Sequence, residues 1–486
     1  MKPYFSQNHV KRKPAGIKLI FILLALVIHV SCNKKQEISI LFTGDVILAR
    51  GVDKNINVFG DSLIINSFKH FGKNDFTVIN LETVLTDTGI RQKRKYNLKT
   101  SPEQALLLRK AGVTHASVAN NHISDYGYQG FTSTIQTLET NSIEPLGINK
   151  KPVILSKNGY HIAVISANLT SHKDFLPITS EEELLESVKR FRRFHPFIPL
   201  IVYLHWGFEY QPTPQPWQRE LASNLVKAGA DAVLGAHPHV TQTIEFIDGK
   251  PVVYSLGNFI ADSHIPQART GYVVKFVAGD KLHDMSITPY RQKNFVAHKL
   301  PLKSQIETLT QMLKFSDVGL FYNGSDWVVK PVNAINFSEP AKLWLIAQEG
   351  QYAIVNKANP DLFFVRLKTH EYETNTLRLP GKVSQILMAD INNDGRKELL
   401  VLISKKVVFD KKYKKRIQIY TVKDNNIKPM WLGTKFINDV EKFDVISGGG
   451  KNYLLVTETA ESKKIKRLYR WDNFGFTLVK TINTKK

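Results

Sequence analysis

Between residues 38 and 260 the chain alternates short apolar runs with amphipathic stretches, and almost every run ends on a polar residue. Residues 38–42 lead into Thr43-Gly44-Asp45, and residues 76–81 into Glu82. Residues 116–118 lead into Asn120-Asn121-His122, and 200–204 into His205-Trp206-Gly207. Residues 232–234 lead into Gly235-Ala236-His237-Pro238-His239, and 252–255 into Leu256-Gly257-Asn258-Phe259. Between the runs, residues 128–141, 180–193 and 216–228 read as helices, the last closed by Gly229. This alternation predicts a layered α/β domain. Sites in such domains gather past the C-terminal ends of strands, where the sheet fixes a residue and the loops leave it accessible.

Asp45, Glu82, Asn121, His122, His205, His237 and His239 all fall at such ends. Any one of them alone would be read as a turn cap or a structural histidine. Together they offer oxygen and nitrogen donors that suit Mn, Zn or Fe, because imidazole favours transition metals over Mg or Ca. The donors suffice for one or two ions, with Glu82 able to bridge. Two ions about 3.5–4 Å apart can activate a water and clamp both oxygens of a displacement. His115, His161, His195 and His298 read as structural.

A length of 486 residues predicts two to three domains of roughly 150 residues each, and 43% apolar residues supply a large core. The single Cys excludes an intramolecular disulfide framework and a Cys-based cluster. The net charge of +23 belongs mostly to the N-terminal leader and the last third. Nucleic-acid binding needs base-stacking or groove-reading elements as well as charge. No helix-turn-helix, RRM or KH signature is present, and Lys411-Lys412-Tyr413-Lys414-Lys415-Arg416 reads as a solvated hairpin tip.

Residues 1–31 read as an export signal: Lys11-Arg12-Lys13 and Lys18 precede an apolar run at 19–28. That run is shorter than the roughly 18 residues needed to span a bilayer. His29-Val30-Ser31-Cys32 resembles a bacterial lipobox. The resemblance implies cleavage before Cys32, lipidation of Cys32, and an exported, membrane-anchored lipoprotein of the cell envelope, with 32–36 as a tether.

The strand-end motifs, in this order, resemble those of the CapA family of bacterial poly-γ-glutamate capsule synthesis proteins over about residues 37–300. That family is similar to calcineurin-like metallophosphoesterases, which implies an αββα sandwich with a two-metal site. By this resemblance Asp45, Glu82, Asn121, His205, His237 and His239 are metal ligands and His122 is the acid on the leaving group. Asp45-Val46-Ile47 stands where phosphoesterases have Asp-x-His. The implied partners are an anionic capsule polymer, poly-γ-glutamate or similar, the membrane through the lipid anchor, and a membrane synthase complex. Arg94, Lys95 and Lys99 read either as a solvated loop or as contacts to an anionic substrate.

Residues 301–340 mix a short helical stretch with a polar, irregular one and read as a connector, and 341–486 read as a smaller all-β domain of short strands. In it Asp390-Ile391-Asn392-Asn393-Asp394-Gly395 resembles the turn of FG-GAP or VCBS-type repeats. Asp390, Asn392 and Asp394 there form either a Ca²⁺ loop or a plain Asx-Gly hairpin turn. Two functional classes stay open: a metal-dependent hydrolase or transferase acting on an envelope phosphoester or amide, and a non-enzymatic polymer-binding or synthase-assembly factor.

Overall fold

The computed structural model describes residues 36–170, 175–176, 180–407, 410–433, 436–461 and 463–482. The expected signal peptide and Cys32 lie outside the described residues. Ile38–Val46, Phe76–Leu81, His115–Ser117 and Glu144–Leu146 run parallel at one end of a 14-stranded sheet. Asn258–Ile260 lies parallel beside the end of the first strand, and Thr270–Ala278 pairs antiparallel with it. A six-stranded sheet has Tyr160–Asn168, Leu200–His205, Ala232–Ala236 and Lys250–Val253 running parallel in its middle.

Strand periodicity places the layers. Ile38, Ile40 and Phe42 face a shared core with Ile201, Tyr203 and Leu234 of the second sheet. Leu41 and Val46 point the other way, onto Val52, Ile56, Ile64, Phe68, Leu108 and Leu138 of four helices. Leu200, Val202 and Leu204 likewise pack on Leu184, Val188, Leu221 and Leu225 of two more. The order is helices, sheet, sheet, helices, and each fully buried Leu, Ile or Phe contributes roughly 1.5–3 kcal/mol. Tyr203 Oη crosses between the sheets to donate to the Thr43 carbonyl at 2.7 Å.

The predicted helices form with small shifts. Glu181–Phe194 starts after Ser180, whose side chain accepts from Glu183 N, and Pro216–Ala228 ends at Gly229, φ 114°. No helix among the described residues is long and apolar enough to cross a membrane.

Residues 301–340 differ from the expected connector. The short helical stretch forms, Leu302–Met312, but the irregular stretch folds as strands Val318–Tyr322 and Trp327–Pro331, which carry the large sheet on to Leu343–Gln348. Val318, Leu320, Trp327 and Val329 alternate into the central core. The polar turn Asn323-Gly324-Ser325-Asp326 between them gives the segment its irregular look in sequence.

Beyond residue 340 the described residues form no helix and are built from strands. Three four-stranded antiparallel meanders follow one another, over 343–380, 382–431 and 439–482, the first continuing the large sheet. They pack face to face through Trp344, Val365, Met388 and Val401, then through Leu400, Ile419, Phe443 and Val456. The run 411–416 lies in the strand Asp410–Lys423. The turn at 390–395 is closed by its own bonds. Asp390 accepts from Asp394 N at 3.1 Å and Gly395 N at 2.8 Å, Asn392 from Asp394 N at 3.0 Å, and Asp394 from Arg396 N at 2.8 Å.

Candidate metal centre

Asp45 lies in register with Asn80 on one neighbouring strand and Asn258 on the other. Gly44 permits this: a Cβ there would stand 1.7 Å from the Gly257 carbonyl oxygen. Gly235 is equally constrained, its Cβ position 1.9 Å from the Tyr254 carbonyl oxygen. Past Gly235 the backbone turns sharply. His237 and His239 take φ 94° and 60°, left-handed values that cost non-glycine residues about 1–3 kcal/mol each. Tyr210 N, donating to the Pro238 carbonyl at 2.8 Å, holds the turn. Strain of this kind persists where surrounding structure over-determines it, and the turn brings the His237 backbone N–H (3.3 Å) and the His239 imidazole (3.0 Å) onto the Asp45 carboxylate.

The predicted ligands converge. Ligand atoms of Asp45, Glu82 and His239 lie within 4.8 Å of one another, the one such group of three or more His, Cys, Asp or Glu among the described residues. His239 Nδ1 sits 3.0 Å from Asp45 Oδ2 and 2.9 Å from Asn258 Oδ1. Asn80 Nδ2 reaches Asp45 Oδ1 at 2.8 Å, Glu82 Oε1 at 3.1 Å and His205 Nδ1 at 3.1 Å. These neighbours place the His205 proton on Nε2, which faces Asn121 Oδ1 at 2.8 Å. The His237 ring is 4.6 Å from that of His205 and 6.1 Å from that of His239. Asp45, Glu82, Asn121, His205, His237 and His239 thus fall in one cluster.

Its electrostatics are uneven. Burial pushes Asp45 up, but the hydrogen bond and charge of His239 outweigh it and hold Asp45 below the usual carboxylate range. Burial, and then the Asp45 charge, push Glu82 well above that range. Burial works to lower His239, and Asp45 reverses it to a net rise. Burial and neighbouring imidazoles lower His205 strongly and His237 to about 3.

A divalent cation fits this cluster. Glu82 Oε2 and His237 Nδ1 are buried without a hydrogen-bond partner, and the donors are carboxylate, imidazole and amide. His122 stands at the edge of the cluster, its Nδ1 2.8 Å from Asp125 Oδ2. Arg94 holds the other Asp125 oxygen at 3.2 Å. With Nδ1 engaged, Nε2 is the ring nitrogen left for a ligand. A cleft of about 610 Å³ opens over Asn121, His122 and His237. From sequence, Asn80, Asn258 and Asp125 have no role in the site, and Arg94 reads only as a solvated residue or a substrate contact, not as the partner of Asp125. Asn80 and Asn258 do sit in the strand-end motifs, which is the signal that marks them. None of His115, His161, His195 and His298 joins the cluster.

The profile of the family described as "Bacterial capsule synthesis protein PGA_cap" matches residues 39–263. The PGA biosynthesis protein CapA of Bacillus subtilis (strain 168) is 30% identical over 290 residues, 54% of this chain and 75% of that protein. The chain belongs to this family of bacterial capsule synthesis proteins. The capsule biosynthesis protein CapA of Bacillus anthracis is 25% identical over 306 residues, 56% of this chain and 74% of its own length. A protein of Mycobacterium tuberculosis named as a probable polyglutamine synthesis accessory protein is 27% identical over 214 residues, 39% and 56% of the two chains. The cluster from Asp45 to Asn258 lies wholly inside the family match, and all three meanders lie beyond it.

Proposed function

We propose that this capsule synthesis family member acts at the bacterial envelope in making or exporting poly-γ-glutamate or a related anionic polymer. Its residues 37–300 would form a calcineurin-like metallophosphoesterase domain, an αββα sandwich, with a centre for one or two ions of Mn, Zn or Fe. Residues 341–486 would form a β-rich accessory unit. The observation that supports a metal centre most directly is the buried set Asp45, Glu82 and His239 with Glu82 Oε2 left unpaired. His205, His237 and Asn121 stand beside it as further ligands. An ion held there would lower the pKa of a water and polarise an oxygen of a phosphoester or amide. His122, oriented by Asp125, would give the leaving group its proton. Anchoring would come from lipidated Cys32, and a membrane synthase complex would be the protein partner.

One observation favours a second reading, a non-enzymatic polymer-binding or assembly factor. Ile47, where phosphoesterases place an imidazole, is buried in a small apolar cluster with Ala49, Leu98 and Ala261. One metal position is thus short of a ligand. The chain from residue 33 onward, reconstituted with Mn²⁺, Zn²⁺ or Fe²⁺, would be assayed on poly-γ-glutamate and on phosphoesters. Turnover abolished in His122→Ala carries the enzymatic reading. Bound metal without turnover moves the function to assembly, and failure to bind any metal refutes the centre.

A further inference from the structure

The cleft over the centre carries two charges that the metal site does not use. One is on the loop joining Val84–Leu85 to Lys99–Thr100. Its stretch Arg91-Gln92-Lys93-Arg94-Lys95 has four cations and no acid. Arg94 pins the loop beside His122, donating to the Asn121 carbonyl at 2.5 Å and to Ser124 Oγ at 2.7 Å as well as to Asp125. Lys95 follows it, exposed and lining the cleft, with Nζ 5.1 Å from the Tyr96 ring centroid. Among the described residues Lys95 has no ion-pair partner.

The other charge is Glu209, from the segment after Leu200–His205. It is exposed, lines the same cleft, and has no ion-pair partner among the described residues. Phe208 and Trp217 line the cleft beside it. Glu209 is close enough to bear electrostatically on Glu82 and His239. An unpaired cation and an unpaired anion on different segments give the cleft a direction. A chain of repeating carboxylates satisfies Lys95 anywhere along its length but is repelled at Glu209 wherever a carboxylate falls there. The exception is an end that bears an ammonium.

We infer that Lys95 and Glu209 make this cleft selective for the amino-terminal end of a carboxylate-bearing chain, with a carboxylate at Lys95 and the terminal ammonium at Glu209. The inference rests on the anionic-polymer reading and adds to it a polarity: the centre acts on chain ends, and mid-chain units are disfavoured. Each exposed contact of this kind is worth about two- to fivefold in affinity and weakens with salt.

The test is calorimetric titration of the Zn²⁺-reconstituted protein with γ-linked triglutamate, with free and with acetylated amino terminus, at low and high salt. Wild type should bind the free-amino form several-fold more tightly. Glu209→Gln should erase that preference. Lys95→Gln should weaken both forms by a similar factor and keep the preference. Zinc content should stay at the wild-type level in both variants. Binding without preference, or a preference that survives Glu209→Gln, overturns the inference and leaves the polymer reading standing. Wild type that binds neither form overturns both.

Discussion

Asp45→Asn separates metal binding from folding. The substitution keeps the shape and removes the charge. Asp45 accepts from Asn80 Nδ2 at 2.8 Å, from His237 N at 3.3 Å, and from His239 at 3.0 Å. An amide oxygen can keep the Asn80 bond, but its NH₂ then meets the His239 nitrogen. That costs one charge-assisted hydrogen bond, about 1.5–3 kcal/mol. Part is returned because the repulsion that raises Glu82 disappears. Metal-free stability therefore falls by no more than about 1.5–3 kcal/mol, which the melt in chelator reads directly. Metal affinity falls much further. Loss of an outer-shell partner costs roughly 10–100-fold, so loss of a charged ligand should exceed about 100-fold. At an ion concentration of about 100 Kd the wild type gains about 2.7 kcal/mol from binding. For a domain of 150–250 residues that is a shift of roughly 5–11 °C in Tm. Thermal melts with metal and with chelator, paired with elemental analysis, read both effects. Wild type should show the shift relative to its own melt in chelator and Asp45→Asn should show none relative to its own, with any offset between the two in chelator reporting the lost hydrogen bond. A folded variant holding wild-type metal content would refute the assignment of Asp45 as a ligand.

The remaining predictions concern pH and calcium. Burial lowers His115 to about 4, so the folded state refuses a proton that the unfolded state takes near 6.5. Its contribution is full above pH 6.5 and is lost as pH falls towards 4. Between pH 7 and 4.5 the wild type should lose about 2–3 kcal/mol more than His115→Gln in urea unfolding, and equal losses would contradict the buried neutral imidazole. Glu398 shifts the other way: burial pushes it up to about 7, with the Asp394 and Asp390 charges adding to the rise. Its contribution is present below pH 4.5 and lost as pH rises through 7, so Glu398→Gln should raise stability at pH 8 by about 2 kcal/mol. The oxygens of Asp390, Asn392 and Asp394 already accept backbone N–H groups. Added Ca²⁺ should therefore leave the melt unchanged, and a calcium-dependent rise abolished in Asp390→Asn would establish the calcium loop instead.

Local signals in the sequence carry the α/β alternation, the helix Pro216–Ala228 and the polar residues at strand ends, because strand period, capping and glycine placement act over a few residues. They also carry the chemistry of the donors, since Asp, Glu, Asn and His keep their ligand character in any fold. The strands Val318–Tyr322 and Trp327–Pro331 are not legible locally, because a polar turn interrupts their alternating core positions. Both strands exist through pairing with Leu282–Lys293 and Leu343–Gln348, residues the local pattern does not contain.

Residue types and their spacing determined what this chain can coordinate and in which layer class it folds. Only the tertiary structure decided which donors meet. Asp45 faces Asn80 and Asn258 because of strand register, and His239 reaches Asp45 because two strained φ angles turn the loop inward. Register and backbone strain are set by packing between distant segments. That is also why Arg94, thirty-one positions before Asp125, closes the far side of the His122 pair.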